Sequence, residues 1–384
     1  MGAAGSGTAG VAFVFEGGGS IGSAVEEDLR RIRQAVCLDT LDVLLGLCAA
    51  GDLERVVLVT DRPDLVAAAP EGLDIAPSPG GASFHFGHAL SHLLLRYRPG
   101  LALVLGGAAA PLYSVGDFRR FLQLARSSPP TVVQNNPQSP DVLAFTPALG
   151  AAALDLPASD NALGHTLQVA GLRRLLVENS ARVNFDVDTP TDAALLAGES
   201  GIGPRTLAAC AEVVWVGPMR RRLEAVEAAL ATDGGELALF GRVGPPVTSY
   251  LNIHLRCRLR VFSEERGMRA LGREANGQVV SFVGRCLDCL GPAHFFDLLA
   301  GCCDAALFDA RVLMAHWRRP IVDGDRFHAD LGDFAAIGDP ELRAFTEQAF
   351  ASSTPVVLGG HSLIYGGLWL LADRVLRRLH PLAL

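Results

Sequence analysis

Residues 11–22, VAFVFEGGGSIG, decide the fold of the first half of the chain. The five apolar residues at its start are typical of a buried strand. The glycine-rich turn after them leads into a stretch over 24–50 with helical apolar periodicity. Further apolar strands are predicted over 55–60, 75–76, 101–105, 131–134 and 142–146, and helices over 86–97 and 118–126. Strands that alternate with helices predict an α/β fold with three layers around a mainly parallel sheet.

The rest of the chain predicts a second α/β domain. The first domain closes with a mostly helical stretch over 162–177 and a strand over 183–187. The glycine-rich segment 198–204 then marks a boundary. We therefore expect a flexible tail over 1–10, a first domain over 11–200 and a second over 201–384. The second domain is predicted to contain helices over 218–231, 293–303 and 366–378, and strands near 236–243, 255–262, 278–283 and 355–358.

The composition excludes several classes of protein. The 384 residues include 33 basic and 41 acidic side chains, for a net charge of −8, and all the basic ones are arginine. This acidic balance argues against a nucleic-acid-binding protein that relies on a basic face. The eight cysteines need no disulfide framework, which favours a reducing cytoplasm. Glycine and proline interrupt the two long uncharged stretches, 99–116 and 352–372, so we expect no membrane span.

The first turn, with Gly17, Gly18, Gly19, Ser20 and Gly22, is a candidate anion-binding loop. Glycines let backbone amides face an anion, and the start of a helix adds a partial positive charge. The turn also matches the dinucleotide pattern G-x-G-x-x-G. That pattern needs a second strand with an acid about 20 residues later, where this sequence has a leucine-rich helix. Dinucleotide binding, an anion loop of another kind and a tight structural turn are the three interpretations that stay open.

Three segments of the first half carry a resemblance to a known family. They are the glycine turn with its long helix and the strand VVLVTD at 56–61, the strand end GGAAAP at 106–111, and NFDVDTPTD at 184–192. Over about residues 10–197, the chain resembles nucleotide-diphospho-sugar transferases. It is most similar to small nucleotidyltransferases such as the 2-phospho-L-lactate and molybdenum-cofactor guanylyltransferases. The last of the three segments is the most specific.

The resemblance implies a nucleotide site built on these segments. Besides the first turn, Gly106 and Gly107 would lie beside the nucleotide, as would His85 and Gly87 at the start of the second helix. Two features depart from the family. The first loop lacks its arginine and lysine, and Ala108 stands where an aspartate ligand of the metal is expected.

A bound polyphosphate requires a cation, because helix ends contribute only about 0.3–1 kcal/mol each at exposed sites. Mg²⁺ typically binds one or two carboxylates together with phosphate oxygens. Asp186 and Asp188 are two residues apart at a predicted strand end, so both would face the same way. They are the predicted metal ligands. The alternative is that Thr189 caps a helix that begins at Pro190, without a metal.

His85, His88 and His92 lie within eight residues of the sequence. Contact with nucleotide or substrate, an ordinary surface position, and a metal site at the i, i+4 pair His88 and His92 are the three interpretations.

Four polar residues at loop ends are candidates for binding the acceptor substrate. They are Asn135, Asn136, Asp160 and Asn161. Turn formation and helix capping explain the same residues equally well.

The second half shows no clear family resemblance. The cysteines at 286, 289, 302 and 303 are expected to be small buried hydrophobic residues rather than zinc ligands. Two stretches dense in polar residues, 256–268 and 323–330, are expected to form surface ion pairs. The segment Gly-Gly-His-Ser at 359–362 joins a strand to a helix and could bind an anion. This half could bind the acceptor, catalyse a second step, or form the interface of a homo-oligomer.

The sequence thus predicts a cytoplasmic, Mg²⁺-dependent, nucleotidyltransferase-like enzyme. A small anionic acceptor would attack the α-phosphate of a nucleoside triphosphate and release pyrophosphate. No nucleic acid and no membrane are expected as partners. One alternative is a degenerate sensor that binds a nucleotide or sugar nucleotide without turnover, as Ala108 suggests. The other alternative is a glycosyltransferase of the same broad fold.

Overall fold

The chain forms two compact units. The computed structural model describes residues 10–19, 21–80 and 84–381. The first unit takes the described residues within 1–20, 33–179 and 203–205, and the second takes those within 21–32, 180–202 and 206–384. Of the predicted flexible tail, only Gly10 lies inside the described residues.

Seven strands form the sheet of the first unit. They are β1 (Gly10–Phe15), β2 (Arg55–Thr60), β3 (Asp74–Pro77), β4 (Leu101–Gly106), β5 (Thr131–Gln134), β6 (Val142–Thr146) and β7 (Arg173–Leu176). Their order is β3-β2-β1-β4-β6-β5-β7. All neighbouring pairs are parallel except the two that involve β6. The predicted mainly parallel sheet is therefore confirmed.

Helices cover both faces of this sheet. Val11 and Phe13 point to one face, Ala12 and Val14 to the other, and none of the four is more than 2% exposed. The face that contains Phe13 packs against apolar side chains of the helices Phe86–Tyr97 and Leu163–Val169. This gives the three layers of the predicted α/β class. The helices of the unit are α1 (Ala24–Ala49), whose first turns belong to the second unit, α2 (Pro63–Ala68), α3 (Phe86–Tyr97), α4 (Val115–Ser127) and α5 (Leu163–Val169).

The second unit is also α/β, as predicted. Its strands β8 (Glu236–Gly241), β9 (Arg258–Ser263), β10 (Ala305–Asp309) and β11 (Val356–Gly359) form a fully parallel sheet in the order β11-β10-β8-β9. The aromatic residues Phe240, Phe308 and Phe345 pack in its core. Its helices are α6 (Ala181–Asn184), α7 (Pro190–Leu196), α8 (Pro204–Glu212), α9 (Val216–Ala231), α10 (Pro245–His254), α11 (Phe282–Leu290), α12 (Pro292–Ala300), α13 (Ala310–Trp317), α14 (Asp323–Leu331), α15 (Pro340–Ala351) and α16 (Leu368–Leu379). The first two residues of α8 belong to the first unit, and a π-helical turn over Leu363–Gly367 precedes α16.

Three predicted elements are wrong, each because of a local capping or turn residue. The strand over 183–187 is replaced by the short helix α6, which Ser180 caps by accepting a hydrogen bond from the amide of Val183. The helix over 162–177 stops early because Gly171 adopts a φ of 101°, and β7 follows. The strand over 278–283 gives way to α11, which Ser281 caps.

The central strand β10 was not predicted. Its sequence, Ala-Ala-Leu-Phe-Asp, contains two alanines, which favour helices, and it directly follows a predicted helix. Pairing with β8 on one side and β11 on the other makes it a strand. Long-range pairing thus overrides the local preference.

Residues 180–200 belong to the second unit, whereas the sequence analysis placed them in the first domain. The reason is packing of α7: the hydroxyl of Thr191 donates a hydrogen bond to the carbonyl of Leu358 in β11, at 2.7 Å. Among the described residues, no helix is long and apolar enough to cross a membrane.

Candidate functional site

The strand order of the first sheet reverses between β1 and β4. In parallel α/β sheets, ligands bind beyond the carboxyl ends of the strands at such a reversal. Glu16 follows β1 and donates its amide to the carbonyl of Val59, at 3.1 Å. Gly107 follows β4 and donates its amide to the carbonyl of Phe15, at 2.8 Å. The candidate site of the first unit therefore begins with Glu16 and Gly107.

Two arginines converge on the carboxylate of Glu16, which is 4% exposed. Nη2 of Arg33 lies 3.2 Å from Oε2, and Nη1 of Arg62 lies 3.8 Å from Oε1. Arg62 also pairs with Asp64, at 2.7 Å. Its buried Nη1 has no hydrogen-bond acceptor among the described residues. A buried donor without an acceptor is costly, and a ligand oxygen would satisfy it.

Close packing around Glu16 explains the glycine at 107. A Cβ atom at that position would lie 2.7 Å from Oε2 of Glu16 and 3.0 Å from Sγ of Cys37. Gly107 is therefore needed for packing in this arrangement, whatever its relation to a nucleotide. Ala108, where the resemblance implies an aspartate, is buried and brings no metal ligand.

The first glycine turn binds carboxylates of the chain itself. The amide of Gly18 donates to Oδ1 of Asp61, at 2.7 Å. The amide of Gly22 donates to Oε2 of Glu26, at 3.0 Å. Gly17 and Gly19 are partly or fully exposed, and Ser20 lies outside the described residues. A phosphate bound by the amides of Gly18 and Gly22 would have to displace these two carboxylates.

Some of the predicted residues do come together at this edge. A cleft beside the ends of β1 and β4 is lined by Phe15, Phe86, Gly106, Asp141 and Asp160, among others. It holds about 10 Å³, the room of one water molecule. Gly106, a predicted nucleotide-binding residue, and Asp160, a predicted acceptor-binding residue, thus line the same cleft. Phe86, the first residue of α3, also lines it. A nucleotide would have to open it further.

His85 and Gly87 position α3. Nδ1 of His85 accepts a hydrogen bond from the amide of His88, at 3.2 Å, and so caps the helix. The amides of Phe86 and Gly87 donate to the carbonyls of Ala158 and Pro157, at 3.0 and 2.9 Å. The chain itself therefore uses the amides at this helix start. Whether His85 or Gly87 contacts a nucleotide stays a prediction.

The predicted acceptor-binding residues hold loops. Oδ1 of Asn135 accepts from the amides of Asp141 and Val142, and Oδ1 of Asn136 accepts from the amide of Gln138. This is the turn chemistry that the sequence analysis gave as the alternative.

Asn161 links two loops in the same way. Its Oδ1 accepts from the hydroxyl of Ser139, at 2.5 Å, and its amide group donates to Asp160, at 3.2 Å. Of the four predicted residues, only Asp160 lines the cleft described above.

The two predicted metal ligands belong to the second unit. Asp188 is exposed and Asp186 is half-buried, in an irregular segment rather than at a strand end. The predicted cap is present: the hydroxyl of Thr189 accepts from the amide of Asp192, and the carboxylate of Asp192 accepts from the amide of Thr189. The cap explains the motif's threonine and last aspartate. It leaves the roles of Asp186 and Asp188 as predictions.

The described parts of the chain contain no group of three or more His, Cys, Asp or Glu side chains placed to hold a metal ion. An ion at Asp186 and Asp188 would therefore need oxygens from a substrate as further ligands, which is common for Mg²⁺.

Sequence reasoning missed the residues that form the charged centre of the first unit. Glu16 was counted as the start of the glycine turn, and Arg33 lies inside the helix α1. Arg62, the residue after the segment VVLVTD, was given no role. A signal was present for two of the three, since Glu16 directly follows β1, and Arg62 follows β2 after Asp61.

No protein-family model and no curated protein matches the chain. Solved structures do match about half of it. A protein described as a nucleotide-diphospho-sugar transferase of Desulfovibrio desulfuricans G20 is 13% identical over 55% of this chain and 97% of its own, with a TM-score of 0.40. A CMP:2-keto-3-deoxy-manno-octonic acid synthetase in complex with CTP is 18% identical over 47% and 94% of the two chains, with a TM-score of 0.34.

A third matching structure is Rv0371c of Mycobacterium tuberculosis H37Rv in complex with manganese. It is 20% identical over 50% of this chain and 99% of its own, with a TM-score of 0.37. The matching structures include members of the class that the sequence motifs resemble.

Proposed function

We propose that the first unit binds a nucleoside triphosphate or sugar nucleotide at the carboxyl ends of β1 and β4, and that the protein is a cytoplasmic nucleotidyltransferase. The observation that carries this proposal is the convergence of Arg33 and Arg62 on the point where the strand order reverses. Guanidinium groups form strong paired hydrogen bonds with phosphate. They could supply the positive charge that the first glycine turn lacks.

In the proposed reaction, an oxygen of a small anionic acceptor forms a bond to the α-phosphorus. The bond from the α-phosphorus to the bridging oxygen breaks, and pyrophosphate leaves with the electron pair. An anionic acceptor carries no proton on the attacking oxygen, so no general base is needed. A divalent cation, Mg²⁺ or Mn²⁺, would stabilise the charge on the phosphates.

The test combines nucleotide binding with turnover. We expect calorimetry with a panel of nucleoside triphosphates and Mg²⁺ to show binding, and pyrophosphate release when carboxylate or phosphate acceptors are added. The variants R33Q and R62Q should each weaken nucleotide binding by roughly tenfold or more, because each removes a charge-assisted hydrogen bond. The variant R33Q is the safer of the two, since Arg62 is buried.

Arg119 provides the matched control. It pairs at 2.6 Å with Asp52, which precedes β2 and so lies at the opposite, amino-terminal edge of the same sheet. R119Q should therefore bind nucleotide like the unchanged protein. The proposal is overturned if no nucleotide binds, or if R119Q and R33Q weaken binding equally.

A nucleotide-binding protein without turnover is the second candidate. Two observations favour it: an alanine stands at position 108, where the resemblance implies a metal ligand, and Asp61 accepts the hydrogen bond from the amide of Gly18. Nucleotide binding without pyrophosphate release, across all acceptors and with either metal, would support this second candidate over the first.

A further inference from the structure

The second unit has a strand reversal of its own. Its sheet runs β11-β10-β8-β9, so the order reverses between β8 and β10. Arg242 directly follows β8, Asp309 ends β10, and His361 follows β11 after Gly360. By the rule that applies to parallel sheets, this edge is where a ligand of the second unit would bind.

Arg242 is fixed in place at this edge. Its Nε and Nη2 donate to the two carboxylate oxygens of Asp309, at 2.5 and 3.0 Å. Asp309 is fully buried, and Arg242 is 13% exposed. Burial opposes the charge on Asp309, but the guanidinium group of Arg242 holds the pKa of that carboxyl below its ordinary value. Asp309 thus accepts hydrogen bonds from Nε and Nη2 of Arg242 but not from Nη1.

Arg266 brings a second guanidinium group to the same edge. The loop that carries it is held against the end of β8, where the amide of Glu264 donates to the carbonyl of Gly241, at 2.9 Å. Arg266 is half-buried. Within the described ranges its side chain makes no hydrogen bond and pairs with no carboxylate, and its Nε is buried. A desolvated guanidinium group of this kind is costly unless an acceptor is supplied.

His361 faces the same charges. Its ring stacks on that of Tyr365, with centroids 5.4 Å apart, and it makes no hydrogen bond to any residue that the structure describes. Burial, together with the positive charges of Arg242 and Arg266, lowers the pKa of His361 to about 4. The negative charges of Asp309 and Asp188 act in the opposite direction but are outweighed by the two arginines. The imidazole is therefore neutral at neutral pH and can donate one hydrogen bond to an anion.

We propose that Arg266, Arg242 and His361 form a second ligand site, which binds the oxyanion of a small phosphorylated or carboxylated molecule. Arg266 supplies the charge that no carboxylate of the described residues neutralises. Arg242, held by Asp309, supplies a preorganised donor, and His361 supplies a neutral one. The site lies wholly within the second unit and does not depend on the nucleotide site of the first.

The experiment uses the full chain with inorganic phosphate and with acetate as separate probes. The imidazole resonances of His361, assigned with the variant H361Q, are followed by NMR while either anion is added. We expect phosphate, acetate or both to shift these resonances in a saturable way. The anion that binds with the higher affinity identifies the class of oxyanion. The variant R266Q should weaken that binding by about tenfold, as loss of a charge-assisted hydrogen bond requires.

Arg221 provides the control. It is an exposed arginine of the same unit, on α9. R221Q should bind the anion like the unchanged protein. If neither anion shifts the His361 resonances, or if R266Q and R221Q behave alike, the site does not exist as proposed. The titration of the unchanged protein decides the matter even if R266Q fails to fold, and R266K tests whether the charge alone is sufficient.

Discussion

Asp192 is fully buried at the start of α7, where its carboxyl group caps the helix. Oδ2 accepts hydrogen bonds from the amides of Asp188 and Thr189, at 3.2 and 2.9 Å. Oδ1 has no hydrogen-bond partner among the described residues. Burial raises the pKa of Asp192 to about 8, although the hydrogen bonds from Thr189 act in the opposite direction.

This raised pKa makes the stability of the protein depend on pH. The ordinary pKa of the side chain is 3.8, so the folded state holds the proton more tightly than the unfolded state. The contribution is fully present below about pH 4 and is lost as the pH rises through about 8. We expect the free energy of unfolding in urea to fall across this range by up to roughly 1.4 kcal/mol per pH unit. The variant D192N, which is always neutral, should lose that slope.

Asp117 is the matched control for Asp192. It has the same place in the capping box of α4 but is half-buried rather than fully buried. The variant D117N should therefore keep the slope of the unchanged protein. Parallel pH profiles for D192N and the unchanged protein would show that Asp192 does not carry a proton in the folded state.

At the scale of elements, the position of α3 depends on a glycine. A Cβ atom at Gly87 would lie 2.4 Å from the carbonyl oxygen of Leu156. The variant G87A should therefore be destabilised by about 1–3 kcal/mol, because the backbone at Leu156 must move. At Gly150 a Cβ would meet no atom within 4 Å, so G150A should be neutral or slightly stabilising. Thermal unfolding of the two variants measures the difference, and equal melting temperatures would contradict the close approach.

At the scale of the whole molecule, the burial of the cysteines can be used to test the fold. All eight are free thiols in the structure. Cys289 and Cys302 are exposed, against the expectation that they would be buried, whereas Cys37, Cys210, Cys257 and Cys303 are buried. Burial also raises the pKa of the Cys37 thiol, which keeps it in its unreactive form.

Thiol titration tests this distribution. In the native protein, a thiol reagent should react rapidly with Cys289 and Cys302. It should react much more slowly with the four buried thiols, those of Cys37, Cys210, Cys257 and Cys303. In denaturant without reductant, all eight should react. A total below eight would reveal a disulfide that the structure does not contain. Rapid reaction of Cys37 in the native state would contradict its buried position.

Local patterns were sufficient to predict many elements of the fold. The strand over 55–60 and the helix over 86–97 were predicted at the bounds that the structure gives them. Their apolar periodicity and flanking turn residues act within a few positions of the chain, so neighbouring residues determine them. The α/β class and the second α/β unit follow from the same alternation of strands and helices.

The sequence by itself therefore determined the class of fold and most of its elements, and it offered the cap at Thr189 as an alternative to a metal site. Only the tertiary structure decided the strand orders, the membership of residues 180–200, and the pairing of Arg62 with Glu16. It also decided that Asp61 occupies the amide of Gly18. The physical reason is distance along the chain. Each of these features joins residues that are tens to more than a hundred positions apart, and no local propensity encodes which partners meet.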